Sequence, residues 1–466
     1  MDACIETSPR EPDADTTMTS VTLHLAEQVA SLALEDIPSQ VLGHARLCIL
    51  DTLGAALQGS REPSSKLVQA LAAAEGGTPL ASIWGRSLRA SALQAALLNG
   101  VSAHALDYDD THQGVPLHVT ATVLPAVFAA AELTGKTMRE LLTGYVAGAE
   151  IAIHAGLALG RSHVQRGWHP TGTVGTLGAA AGAAHVLGLQ PTQIAQVLGL
   201  AATQAAGFMK AVTGNMAKPL NAGKASMNGL LSSLLIREGF SGPDDVFASG
   251  SDFATAFSEN FNPASLAFGG NAGWEISNIA IKLSACCSLA QAALEGGRAI
   301  WRTHHIQDHS IAEVELEANP RQVQIAGIPR PRTGLEAKFS LAYCTALGLC
   351  NATGDSSDFE DGRLQSPGLT ALMEKVSIRV NPALSEVSAR VRVKTIGGRI
   401  LEQFVAIARG NPGNPATTDE VKAKFHSLAG PAPGERRDKL IALVLEEASM
   451  QLPVKELADI LTGLAG

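Results

Sequence analysis

The chain has 466 residues, 46 % of them hydrophobic and only 17 % charged, with a formal net charge of −9 and a pI near 5.8. That length supports two or three domains around a large core, and an acid excess with no basic stripe excludes a nucleic-acid binder. Aromatic residues are 4 % while glycine reaches 46 residues, so the core must be built from small side chains that let helices approach closely.

Residues 1–18, MDACIETSPREPDADTTM, are polar and acidic with no apolar run, and read as a disordered tail rather than a signal peptide. From about residue 20 to 260 helix follows helix. DIPSQVLGHARLCILDTLGAAL, SLRASALQAALLNGVSAHAL and ATVLPAVFAAAELTG carry apolar residues at helical spacing. The most apolar stretch, residues 141–160, contains Glu150 and His154 and is expected to be a buried helix rather than a membrane span. GTLGAAAGAAHVLGLQPTQIAQVLGLAATQAAG reads as a helical hairpin whose second helix starts at Pro191.

The character changes after residue 275. SIAEVELEANP and KVSIRVNP alternate as strands do, and SARVRVKTIGGRILEQFV predicts a β-hairpin turning at Gly397-Gly398. EAKFSLAYCTALGLC, residues 336–350, is expected to be one helix, and amphipathic helices return over the last 55 or so residues. The resulting expectation is a mainly α protein: residues 19–272 with 406–466 form an all-helical domain, and 273–405 form a smaller α+β lid. A small-molecule site is expected in the cleft between them. The six cysteines show neither a CxxC pair nor a disulfide framework, which points to reduced thiols and a cytoplasmic protein.

Four places concentrate chemistry. SAHALDYDDTHQGVPLHVT packs His104, Asp107, Asp109, Asp110, His112 and His118 together, and three readings compete: a metal site, a solvated loop whose polar residues cap helices, and a metal-free acid–base site. No spacing here matches a strong metal motif. In VQRGWHPTGTVG, His169 precedes a helix start, where the dipole would help keep an imidazole neutral. In GNMAKPLNAGKASMNGLL, Lys218 is expected in an extended segment before a helix starting near Gly223, and either binds a carboxylate or pins a loop; Lys224 reads as peripheral. Lys282 interrupts the apolar run NIAIKLSACC and either serves a site or snorkels. Cys286 and Cys287 are too few for an iron–sulfur cluster, and no phosphate loop accompanies either lysine to suggest pyridoxal phosphate.

NGVSAHALDYDDTH, PLHVTATVLPAVFAAAE, RGWHPTGTVG, MAKPLNAGKASMNGLL, KLSACC and EAKFSLAY, in that order, resemble the MmgE/PrpD family from about residue 20 to the C-terminus. That family includes 2-methylcitrate dehydratases, cis-aconitate decarboxylases and iminodisuccinate epimerases. The resemblance implies a large helical domain with a smaller lid, a homodimer, a small carboxylate substrate, and neither metal nor cofactor; no nucleic-acid or membrane partner is expected. By likeness to the decarboxylase branch, Asp107, Thr111, His118, His169, Lys218, Lys282 and Tyr343 would line the site. Gln291 stands where that branch would have a histidine and Ser284 where it would have an aromatic, which bears on the substrate.

The resemblance then implies proton chemistry beside a carboxylate, with Lys218 and Lys282 as fixed cations, His118, His169 and Tyr343 moving protons, and Asp107 and Thr111 orienting. A dehydratase or a decarboxylase is the favoured outcome. An epimerase of an iminodisuccinate-like compound and a non-catalytic carboxylate-binding protein are the alternatives.

Overall fold

The computed structural model describes residues 20–212, 215–248, 250–430 and 434–464; the tail expected over residues 1–18 lies outside them. The helices begin and end where capping chemistry allows. Ser91 accepts from the Gln94 amide to start the helix Ala92–His104, Pro191 opens Pro191–Ala202, and Gly135, at φ 66°, ends Val119–Thr134. The helix Met138–Gln165 is long and apolar enough to cross a membrane, yet 94 % of its most apolar window is buried inside the protein. It packs against Val174–Val186 through facing glycines: a Cβ on Gly148 would lie 2.5 Å from the Gly178 carbonyl, and one on Gly182 would lie 2.6 Å from that of Gly144.

A second close approach matters more for function. Gly100 in Ala92–His104 faces Gly223 in Ala217–Arg237, and a Cβ on Gly223 would sit 2.5 Å from the Leu97 carbonyl. These two helices carry His104 and Lys218, so the glycine contact sets the spacing between those side chains. Gly223→Ala is expected to destabilise the fold by about 1–3 kcal/mol through overpacking and to lower activity as well; thermal denaturation alongside steady-state kinetics would check both.

Two hydrophobic cores divide the molecule. The first runs from Leu25 to Ile281 and takes back the C-terminal helices from Val421 to Leu464. The second spans Ala285 to Ala408 and surrounds a four-stranded sheet ordered Val376–Val380, Ile311–Ala318, Ala389–Thr395, Ile400–Val405. Its first pair is parallel and the other two are antiparallel. The expected hairpin is present, with Gly398 at φ 79° in its turn. Helices Gln291–His304 and Leu341–Leu349 pack on this sheet. The architecture is therefore mainly α with a small sheet domain. Leu106 and Tyr108 belong to the second core although the helices on either side of them belong to the first, so Asp107 lies at the seam.

Two local expectations fail. Lys218 is in the first turn of the helix Ala217–Arg237, not in an extended segment. Pro219 misled the reading: proline is tolerated in a first turn, where its missing N–H would have no partner anyway. The stretch 336–350 is two helices, Gly334–Ala337 and Leu341–Leu349, because the Ser340 hydroxyl accepts from the Tyr343 amide and caps a new start.

Candidate active site

Each of the three aspartates in the loop after His104 does something different. Asp110 caps the next helix, accepting from the Thr120 amide at 3.2 Å and from the Thr120 hydroxyl. Asp109 accepts from two imidazoles, His104 Nδ1 at 2.9 Å and His118 Nδ1 at 3.0 Å, whose rings lie 4.1 Å apart. Asp107 faces two ammonium groups, with Lys218 Nζ and Lys282 Nζ each 2.7 Å from Oδ1. His118 Nε2 stands 3.8 Å from the same oxygen. The fourth titratable group of the loop, His112, is structural: it pairs with Glu275 and accepts from the Val115 amide.

All of these groups are buried, and their protonation follows from that. Burial opposes charge on Asp107, but Lys218 and Lys282, with His118 and His104, hold its carboxyl well below the usual carboxylate range. Asp109 is likewise held well below that range, against burial, by its two imidazoles. Burial pushes His118 down to about 3, with His104 and Lys282 adding to the shift although Asp109 opposes it. His118 is thus neutral. With Nδ1–H donated to Asp109, its Nε2 carries a lone pair directed into the cluster. His169 is also held well below its ordinary value, first by burial and then by His104, His118 and Lys218. Burial, rather than the helix dipole invoked from sequence, leads that shift. Lys282 is raised, since Asp107 and Asp109 outweigh its desolvation.

Asp110 differs in sign. Burial, with the Asp109 and Asp51 carboxylates, raises it to about 7 despite the Thr120 hydrogen bonds. A carboxyl whose folded pKa exceeds its unfolded one contributes stability that is present below the unfolded value and lost as pH rises through the folded one. The melting temperature should therefore fall between about pH 4 and pH 7, and Asp110→Asn should flatten that fall; a melting series across pH would measure it.

The sequence-selected residues are placed as follows. Asp107, His118, Lys218 and Lys282 meet directly. His169 is tied to them through Asn221, whose side-chain amide lies 3.0 Å from His169 Nδ1 and which is one helical turn beyond Lys218. The Thr171 hydroxyl also accepts from the His118 amide, so the His169 loop and the His118 loop are joined. Thr111 is buried in a two-residue strand paired with Ile279–Ala280, two residues before Lys282. Tyr343 is buried in the second core, where its hydroxyl donates to the Asp358 carbonyl at 2.6 Å and its ring meets Phe359. Ser284 and Gln291 line a separate cavity of about 270 Å³ with Arg298 and Arg302, and Gln291 donates to the Ser284 and Cys286 carbonyls just after Lys282.

Several participants were not selected from sequence. Phe339 lies under Lys218 at 5.1 Å. Lys338 is buried and donates to the Leu106 carbonyl. Lys424, on the returning helix Thr418–Leu428, pairs with Asp51 at 2.6 Å and donates to the carbonyls of Tyr108 and Lys282. The lone lysine amid apolar neighbours that drew attention to Lys218 and Lys282 was equally available at Lys338, between Ala337 and Phe339.

His104, Asp107, Asp109 and His118 bring potential metal-ligand atoms within 4.8 Å of one another. A metal ion there would meet the charges of Lys218 and Lys282, which already share one oxygen of Asp107. Two buried polar atoms, His104 Nε2 and Asp107 Oδ2, have no hydrogen-bond partner among the described residues. Paired ammonium groups, the neutral imidazole of His118 oriented by Asp109, and unmatched polar atoms make this cluster the candidate site for an anionic ligand.

The MmgE/PrpD N-terminal domain profile matches residues 23–266 and the C-terminal domain profile matches 284–447. The chain belongs to the MmgE/PrpD family, as its ordered sequence blocks suggest. It is 30 % identical to the cis-aconitate decarboxylase-like protein oryM of Aspergillus oryzae, over 95 % of this chain and 98 % of that one. It is 30 % identical to a cis-aconitate decarboxylase of Aspergillus terreus, covering 95 % and 93 %, and 25 % identical to that of Homo sapiens, covering 88 % of each. Those relatives support a lyase of this family.

Proposed function

We propose that the protein decarboxylates a cis-aconitate-like tricarboxylate through acid–base groups alone, with no metal ion. The observation that carries this reading is the single Asp107 oxygen held between two buried ammonium groups with a neutral imidazole facing it. The names of the relatives favour decarboxylation over dehydration by the same groups.

Such a substrate places carboxylates beside Lys218 and Lys282. When the C–C bond to the departing carboxylate breaks, its electron pair moves into the remaining unsaturated acid, where fixed cations stabilise the growing charge without reorganising. One proton must then be delivered to carbon. In the free protein His118 and His169 are neutral, but an incoming polyanion raises the proton affinity of both imidazoles. Substrate binding itself recruits the proton that the reaction consumes.

This gives a measurable expectation. Tricarballylate, a saturated tricarboxylate that offers no double bond for the electron pair, should bind with net proton uptake near neutral pH. Calorimetry in buffers of different ionisation enthalpy reads that number directly, and His118→Gln should reduce it. For the reaction, incubation with cis-aconitate, 2-methylcitrate, citrate and an amino-dicarboxylate in deuterated water separates the outcomes. Carbon dioxide released from cis-aconitate with one deuterium incorporated is expected. Release of water, or deuterium exchange without loss of a group, would assign a dehydratase or an epimerase instead.

A further inference from the structure

Asp107 adopts φ 53°, a left-handed conformation uncommon outside glycine, although aspartate tolerates it better than most residues. Three successive carbonyls brace it. Leu106 O accepts from Lys338, Asp107 O from Lys282 at 2.8 Å, and Tyr108 O from Lys424 at 2.6 Å. The three lysines come from different parts of the chain: Lys338 from the break between two lid helices, Lys282 from the link between the two cores, and Lys424 from the returning C-terminal helix. All three are buried.

We propose that Lys338 and Lys424 are positioning residues for the reaction, locking the backbone on either side of Asp107 so that its carboxylate stays between Lys218 and Lys282. The kinetic part of the proposal rests on the function proposed above; the conformational part does not. Lys424 does this twice over, because its ammonium also donates to the carbonyl of Lys282 at 2.8 Å and lies 3.9 Å from the Tyr108 ring centroid. Its charge is balanced by Asp51, with Lys282 and Asp109 the other charged groups acting on it. Because Lys338 belongs to the lid and Lys424 to the helical domain, the Asp107 conformation requires both parts of the molecule to be in place.

The Lys338 clamp should titrate within reach of ordinary assays. Burial brings Lys338 down to about 8; Asp107 and Glu62 oppose the shift, while Lys218 and Lys282 add to it. Above about pH 8 the group facing Leu106 O becomes a neutral amine, a weaker donor, and kcat should fall.

Lys338→Met, Lys338→Arg and Lys424→Met test this, each followed by melting temperature, by cis-aconitate kinetics from about pH 6 to 9, and by a crystal structure. Misplacing a catalytic group by about 1 Å can cost about a hundredfold in rate, so both Met variants should lose roughly that in kcat with KM changed about threefold or less. Lys338→Arg, which cannot deprotonate, should recover kcat and remove the alkaline fall near pH 8. In the Met variants the backbone at Asp107 should leave the left-handed region.

Met variants that melt early yet keep full kcat per folded molecule, or whose crystals still show Asp107 left-handed between its two lysines, would overturn the proposal. If the unsubstituted protein does not turn over cis-aconitate, the function reading fails alone, and the Asp107 conformation in the Met variants still decides the clamp.

Discussion

Lys218→Met is expected to lower kcat/KM for cis-aconitate by about a hundredfold to a thousandfold, the usual effect of deleting one preorganised stabiliser of developing charge. The substitution keeps the length of the apolar stem over Phe339 and removes only the ammonium group. Stability should change little. Asp107 keeps Lys282 as a partner at 2.7 Å, and loss of one of two cations on the same oxygen also relieves their mutual repulsion. Lys224→Met supplies the comparison: that lysine is on the same helix but exposed, and its variant should match the unsubstituted protein in both rate and melting temperature. A non-catalytic carboxylate-binding protein would show a different pattern, with ligand affinity falling in Lys218→Met and no turnover to lose. If Lys218→Met melts early but keeps its rate per folded molecule, Lys218 only pins the fold.

Much of this was legible in the sequence because the relevant signals were local. Alternating residues at 388–405 gave the hairpin, and the abundance of glycine and alanine anticipated helices as close as Gly148 and Gly178. Lysines within apolar runs pointed to Lys218 and Lys282. What stayed hidden was non-local. Nothing adjacent to Lys424 distinguishes it from Lys422 two residues earlier; only the return of the C-terminal helix to Asp51 and Tyr108 makes one a buried clamp. The three aspartates of DYDD look alike in sequence, yet one pairs with cations, one orients imidazoles and one caps a helix. Those assignments depend on a left-handed turn at Asp107, which its residue type permits but does not announce.

Asp109→Asn should lower kcat further, by about a thousandfold to ten-thousandfold, a scale set by losing the carboxylate that orients a catalytic imidazole. Asp109 accepts from both His104 Nδ1 and His118 Nδ1, and so fixes both rings in the tautomer that leaves Nε2 free. An asparagine offers one oxygen and one NH₂ group in the same space. Its oxygen can accept from one imidazole, but its NH₂ must donate to the other, which forces that ring to carry its proton on Nε2. Where the NH₂ group turns to His118, the atom facing Asp107 becomes an N–H rather than a lone pair, and proton uptake on anion binding disappears with it. The change is nearly isosteric, so a folded protein with low kcat is expected rather than an unfolded one. The contrast with Asp110→Asn is the sharper test, because that neighbour should alter the pH dependence of melting and leave kcat near its starting value. Asp109→Asn retaining kcat within about tenfold and an unchanged proton uptake would remove His118 from the reaction, because its orientation would then not matter.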